Sequence, residues 1–150
     1  MVSIQAPSPT LQKIRSPSQR TLLQVEDNPA NAAMVNQLIA RRSDLNLLTA
    51  TNGLQGIEMA CAFQPDLILM DMKMPGMSGL AAVAILRGNP ATSHIPVIAL
   101  SSNAYPSEIR QCLEAGVYRY LTKPYKIADL MAAIDSALLY AAEIPAANEC

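Results

Sequence analysis

Five residues carry groups able to act together if the fold closes the distances between them: the consecutive acids Glu26 and Asp27, the isolated Asp71, the hydroxyl of Ser101 and the ammonium of Lys123. Each closes or follows a short apolar run, at residues 22–25, 67–70, 95–100 and 117–121 in turn. Three carboxylates held at one place repel. At a separation of ~4 Å and an effective dielectric near ~20, each like-charged pair costs about 4 kcal/mol before relaxation. Lys123 offsets part of this, and a hard divalent cation offsets the rest. Mg²⁺ takes carboxylate and carbonyl oxygens, keeps several waters and commonly bridges protein carboxylates to phosphate. The chemistry expected at this cluster is therefore Mg²⁺-assisted phosphoryl handling, with Mn²⁺ as an admissible oxygen-seeking substitute.

The elements that position these groups follow from hydrophobic period. Residues 22–25, 45–48, 67–70, 95–100 and 117–121 are the strand candidates. Helical spacing connects Ala32, Val35, Leu38 and Ile39; Leu54, Ile57 and Cys61; Leu80, Val83 and Leu86; Ile109, Cys112 and Leu113; and Ile127, Leu130, Ile134 and Leu138. Asn28 before Pro29 predicts a capped helix start, and Gly116 a helix end. Parallel strands joined through helices need both sheet faces covered, so central strands become almost wholly apolar, as 67–70 and 96–100 are. Right-handed crossovers then give an α/β, doubly wound sheet, whose ligands sit beyond the carboxyl ends of the strands. Gln24 lies inside the first strand, where a buried amide requires a partner.

At 150 residues and 16.1 kDa the chain suits one domain with short extensions. Residues 1–20 read as a flexible Pro/Ser-rich arm, 21–142 as the folded unit and 143–150 as a tail. A composition of 51% hydrophobic and 15% charged residues excludes disorder as the dominant state. The longest apolar stretch, residues 80–86, is too short to span a bilayer, and the first twenty residues hold no signal-peptide core, so a cytoplasmic location without membrane insertion is expected. Net charge is −1; three basic residues and no acid lie in residues 1–20, which leaves the remainder at −4. Direct nucleic acid binding is not expected from that balance. Cys61, Cys112 and Cys150 lack metal or redox spacing and read as free thiols, the first two on apolar helix faces. The lone His94, beside Pro96, reads as a loop residue.

Four stretches in order carry a resemblance: Val25-Glu26-Asp27-Asn28; Asp66 through Gly79, with Asp71, Lys73, Pro75 and Gly76 inside it; Pro96 through Ser101; and Tyr120-Leu121-Thr122-Lys123-Pro124. Intervals of 44, 30 and 22 residues separate Asp27, Asp71, Ser101 and Lys123. Over 21–142 the chain resembles the CheY-like receiver domains of two-component response regulators. The resemblance implies a flavodoxin-like sheet of five parallel strands in the order 2-1-3-4-5, flanked by five helices. It also implies that Asp71 is the phosphoacceptor, charged by a histidine kinase or histidine phosphotransfer protein. Glu26, Asp27, Asp71 and the backbone carbonyl of Lys73 would hold Mg²⁺, Ser101 and Lys123 would bind the phosphoryl group, and Pro124 would follow a cis peptide. Ser101 and Tyr120 would be the switch residues, and repacking of the face made by helix 4, strand 5 and helix 5 would pass the signal to a downstream protein partner.

Ser102 competes with Ser101 for the hydroxyl role, although spacing favours Ser101, and Tyr118 shares strand parity with Tyr120. Glu26 stands where the family often has Asp, and Ser101 where it often has Thr. Lys73 and Asn103, two residues beyond Asp71 and Ser101, border the phosphoryl site and are expected to tune hydrolysis. A haloacid-dehalogenase-like phosphatase would need a second Asp at the Lys73 position, so the domain is read as a signalling module and not as an enzyme acting on outside substrates. A docking module independent of phosphorylation is the remaining alternative. The expected assembly is a monomer or weak dimer, either a stand-alone regulator or the receiver of a hybrid histidine kinase.

Overall fold

The structure is a computed structural model and describes residues 19–143. Strands and helices alternate throughout: β1 (Arg20–Val25), α1 (Pro29–Ala40), β2 (Leu45–Ala50), α2 (Gly53–Phe63), β3 (Leu67–Asp71), α3 (Gly79–Arg87), β4 (Val97–Ser101), α4 (Pro106–Glu114), β5 (Arg119–Thr122) and α5 (Ile127–Glu143). All pairings are parallel and the order is β2-β1-β3-β4-β5, as expected. Most of the expected arm and tail lies outside the described residues. At their inner ends, Arg20 is paired with Leu45 and α5 continues to Glu143.

The two-residue period of each strand divides the core. Leu22, Leu67, Leu69, Ile98 and Leu100 face α1 and α5, whereas Leu23, Val25, Ile68, Met70, Val97 and Ala99 face α2, α3 and α4. Every residue of β3 and β4 is buried, consistent with a sheet covered on both faces. Gln24, 3% exposed, is satisfied where the sequence left it open. Its amide donates to the Ala32 carbonyl at 3.0 Å and to Thr49 Oγ1 at 3.1 Å, tying β1 to α1 and β2.

Helix starts follow local chemistry. The Asn28 side chain accepts from the amides of Ala30 and Asn31, and Pro29 occupies the first turn, where no intrahelical donor is missed. Asn52 and Ser78 cap α2 and α3 in the same way. Gly116 follows the end of α4 at φ 109°, a conformation L side chains rarely adopt.

Three expected core positions are corrected: Leu54, Leu113 and Ile127 are 58%, 48% and 52% exposed. On α2 the buried face is Gly53, Gly56 and Ala60. A Cβ on Gly56 would sit 2.7 Å from Val25 Cγ2, so the helix approaches the sheet through its smallest residues; Ile57 and Met59 pack at the edge of the core, and Leu54 and Phe63 turn outward. Cys61 is likewise exposed, while Cys112 is buried.

Candidate functional site

Because all five strands run parallel, their carboxyl ends converge on one edge. Asp71 and Ser101 are the last residues of β3 and β4, paired with Leu100 and Thr122 respectively. Glu26 and Asp27 leave β1, and Lys123 leaves β5 with its amide donating to the Ser101 carbonyl at 2.7 Å. One carboxylate oxygen from each of Glu26, Asp27 and Asp71 lies within 4.8 Å of the others, a group that could hold a metal ion. Lys123 Nζ sits 3.6 Å from Glu26 Oε1 and 3.8 Å from Asp71 Oδ2. The peptide between Lys123 and Pro124 is cis.

The two adjacent acids differ in environment. Glu26 is buried, as a continuation of β1, and Asp27 is exposed. Burial raises the Glu26 carboxyl above its ordinary value, and contact with the Asp71 carboxyl raises it further; the Asn28 amide at 3.2 Å and Lys123 pull the other way. A buried acid pressed against a second carboxylate favours its neutral form unless a cation arrives. Asp71 Oδ1 accepts the amide of Lys73 at 3.0 Å, which fixes one oxygen of that carboxylate. The Lys73 side chain is exposed.

Ser101 is 1% exposed, and Ser102 is exposed, so the structure separates the two hydroxyls by burial. Ser101 Oγ accepts the Asn103 amide at 3.1 Å, and the Tyr120 hydroxyl donates to the Asn103 carbonyl at 2.5 Å. A single residue, Asn103, therefore joins the two predicted switch side chains, through its amide on one side and its carbonyl on the other. Strand parity failed to distinguish Tyr118 from Tyr120 because β5 starts only at Arg119. Tyr118 packs against the α1/α5 core, bonded to Ser136 Oγ at 2.6 Å, whereas Tyr120 packs against the opposite core.

One feature escaped the sequence. A cavity of about 400 Å³ beside the carboxylates is lined by Glu26, Asn31, Met34, Val35, Ser102, Lys123, Pro124 and Tyr125. Burial, with the nearby Glu26 charge, raises the Tyr125 phenol above its ordinary value. Tyr125 lies two residues past Lys123, a proximity visible in the chain, but nothing in its residue type signals a role.

Comparison with known proteins agrees with this arrangement. The family model for the response regulator receiver domain matches residues 22–135. The chain is 36% identical over 120 residues to the hybrid signal transduction histidine kinase G of Dictyostelium discoideum, covering 79% of this chain but only 4% of that protein. It is 32% identical to the polar-differentiation response regulator DivK of Brucella anthropi, covering 79% of this chain and 96% of that one. The crystal structure of the receiver domain of a sensor histidine kinase from Pseudomonas aeruginosa PAO1, with magnesium coordinated in its active-site cleft, superposes with a TM-score of 0.74 at 30% identity, over 80% of this chain and 98% of that one. Among the described residues no helix is long and apolar enough to cross a membrane. With fold order, strand-end carboxylates and family match in agreement, the chain belongs to the response regulator receiver domain family and is a receiver domain of two-component signalling.

Proposed function

We propose that Asp71 is the phosphoacceptor of this receiver and that the domain switches a protein partner. The observation that carries the reading is the placement of Lys123 between Glu26 and Asp71, with Asp27 completing a three-carboxylate group at one sheet edge. The donor set is all oxygen, and Glu26 resists ionisation while no cation is present, which fits a hard divalent ion such as Mg²⁺. Glu26, Asp27, Asp71 and the Lys73 carbonyl would hold it, and when bound it supplies charge neutralisation for the acceptor and the incoming phosphoryl oxygens.

The chain's own residues account for the rest. Lys73 holds Asp71 Oδ1 through its amide, which leaves Oδ2, the oxygen nearest Lys123, to attack phosphorus as the donor's P–N bond breaks. The histidine side chain of a kinase or phosphotransfer protein then leaves as imidazole. Lys123 pairs with one transferred oxygen, and Ser101 reaches another once its hydroxyl turns from Asn103. The Asn103 carbonyl also holds Tyr120, so movement of this residue carries the change to β5 and the α4/β5/α5 face. The domain acts as a signalling module, not as an enzyme on outside substrates; monomer or weak dimer is its proposed state and the cytoplasm its proposed location.

Mass spectrometry after exposure to a small phosphodonor with Mg²⁺ tests the assignment. One phosphoryl adduct is expected on the wild-type chain and none on Asp71→Asn. A wild-type mass that never changes would favour phosphorylation-independent docking instead.

A further inference from the structure

The loops that follow β3 and β4 flank an open cavity of about 620 Å³ at the acceptor edge, lined by Lys73, Ser102, Asn103, Ala104 and Tyr105. It shares only Ser102 with the cavity beside Lys123. Two of its residues are bonded to the acceptor machinery. The Lys73 amide donates to Asp71 Oδ1 at 3.0 Å, and the Asn103 amide donates to Ser101 Oγ at 3.1 Å.

Tyr105 is the one aromatic residue of this lining and is 67% exposed. A single exposed aromatic is ordinary on a protein surface and by itself says nothing. Tyr105, however, occupies the N-cap of α4, directly before Pro106, and its side chain makes no cap hydrogen bond. Asn28, Asn52 and Ser78 cap α1, α2 and α3 through side-chain oxygens. Short polar residues are strongly preferred there, because their oxygen satisfies an orphan amide of the first turn. At α4 that stabilisation is given up and a large ring is left in water beside the acceptor. The ring is also rooted in the site, since the Tyr105 amide donates to Asn103 Oδ1 at 2.9 Å, and Asn103 is the residue that bonds Ser101. A departure from local helix chemistry at a functional edge points to a contact made with a ligand.

On the reading that Asp71 accepts phosphate from a phosphohistidine, we infer that Tyr105 receives the donor's imidazole ring in this cavity and makes the domain selective for imidazole-bound phosphate over donors without a ring. In the transfer the Asp71 Oδ2–P bond forms as the P–N bond breaks. The electron pair of that bond stays on nitrogen, and the ring, protonated on its other nitrogen, departs as neutral imidazole. In-line displacement puts the ring on the far side of phosphorus from Asp71, toward the outer edge of the site. Until it departs the ring is cationic, and the face of a phenol ring both attracts a cation and stacks on a flat heterocycle. The donor is anionic at phosphorus and cationic at the ring, which suits a cavity that sets a lysine and an aromatic residue on different loops.

The test labels the full chain with Mg²⁺ and one of two small donors, phosphoimidazole or acetyl phosphate, and follows the adduct by mass spectrometry over time. Tyr105→Ala is expected to lower the ratio of the phosphoimidazole rate constant to the acetyl phosphate rate constant by about threefold, the size of a cation–π contact at an exposed site. Tyr105→Phe keeps the ring and should hold the wild-type ratio. Tyr105→Ser adds a readout that a purely structural role would reverse: it restores a capping oxygen, so its urea midpoint should rise while its ratio falls. An unchanged ratio in Tyr105→Ala, an equal loss with both donors, a ratio lost in Tyr105→Phe or a lower midpoint in Tyr105→Ser overturns the inference and leaves Asp71 as the acceptor. Absence of wild-type labelling by both donors would instead remove the phosphoacceptor reading, and this inference with it.

Discussion

Glu26 and Asp27 are chemically similar neighbours placed on opposite sides of a solvent boundary, and the difference yields a measurable pH dependence. The Glu26 carboxyl is raised from 4.5 chiefly by burial and then by Asp71. A raised folded-state value means that the native chain binds more protons than the unfolded chain above pH 4.5, so stability falls as pH rises through that window. Metal-free chain is therefore expected to lose denaturant resistance as pH increases through the folded Glu26 value. Glu26→Gln should flatten the slope, and saturating Mg²⁺ should reduce it in the wild type, because the cation favours the ionised carboxylate. Urea midpoints across pH, with and without Mg²⁺, check this; equal slopes in wild type and Glu26→Gln would show that the acid does not carry the dependence.

Two short segments hold the acceptor edge in place. Asn28 satisfies two orphan amides of α1 directly after the acid pair, so Asn28→Ala should cost about 1 kcal/mol in a denaturation experiment. Gly79 at the start of α3 is more demanding. An added Cβ would lie 2.6 Å from Met72 Cα and 2.8 Å from the Asp71 carbonyl oxygen, and backbone atoms cannot swing aside as a side chain can. Gly79→Ala is expected to destabilise the chain by roughly 1–3 kcal/mol, the usual range for overpacking, and to slow phosphodonor labelling of Asp71. Normal labelling and stability in that variant would mean that the loop from β3 to α3 relaxes freely.

Across the whole molecule, Arg42 joins the turn after α1 to α5, with contacts of 2.7 Å to Asp44 and 2.9 Å to Asp135. Both acids are more than half exposed, so solvent screens the pair and Arg42→Ala should cost less than about 1 kcal/mol, less still at high salt. Thermal melts at low and high salt measure it; a large, salt-independent loss would instead indicate packing by the arginine stem. The buried sheet dominates stability, since β3 and β4 are covered on both faces by helices from both sides.

What the sequence determined by itself is the order of elements and the identity of the residues at the strand ends. Alternation of apolar runs with helical periods specifies a parallel sheet, and parallel strands bring every carboxyl end to the same edge, so Asp71, Ser101 and Lys123 had to approach each other. Local caps at Asn28 and the turn glycine at Gly116 were legible for the same reason, as they depend on a few neighbouring atoms. Only the tertiary structure decided which faces close. Leu54 turns outward because α2 reaches the sheet through small residues, Leu113 and Ile127 lie outside the faces their helices bury, and Tyr118 and Tyr120 part to opposite cores because β5 begins between them. The partners of Gln24, the burial of Glu26 beside an exposed Asp27, and the orphaned His94 nitrogen belong to this second class. Each depends on contacts between distant segments, which residue types and spacing along one chain do not encode.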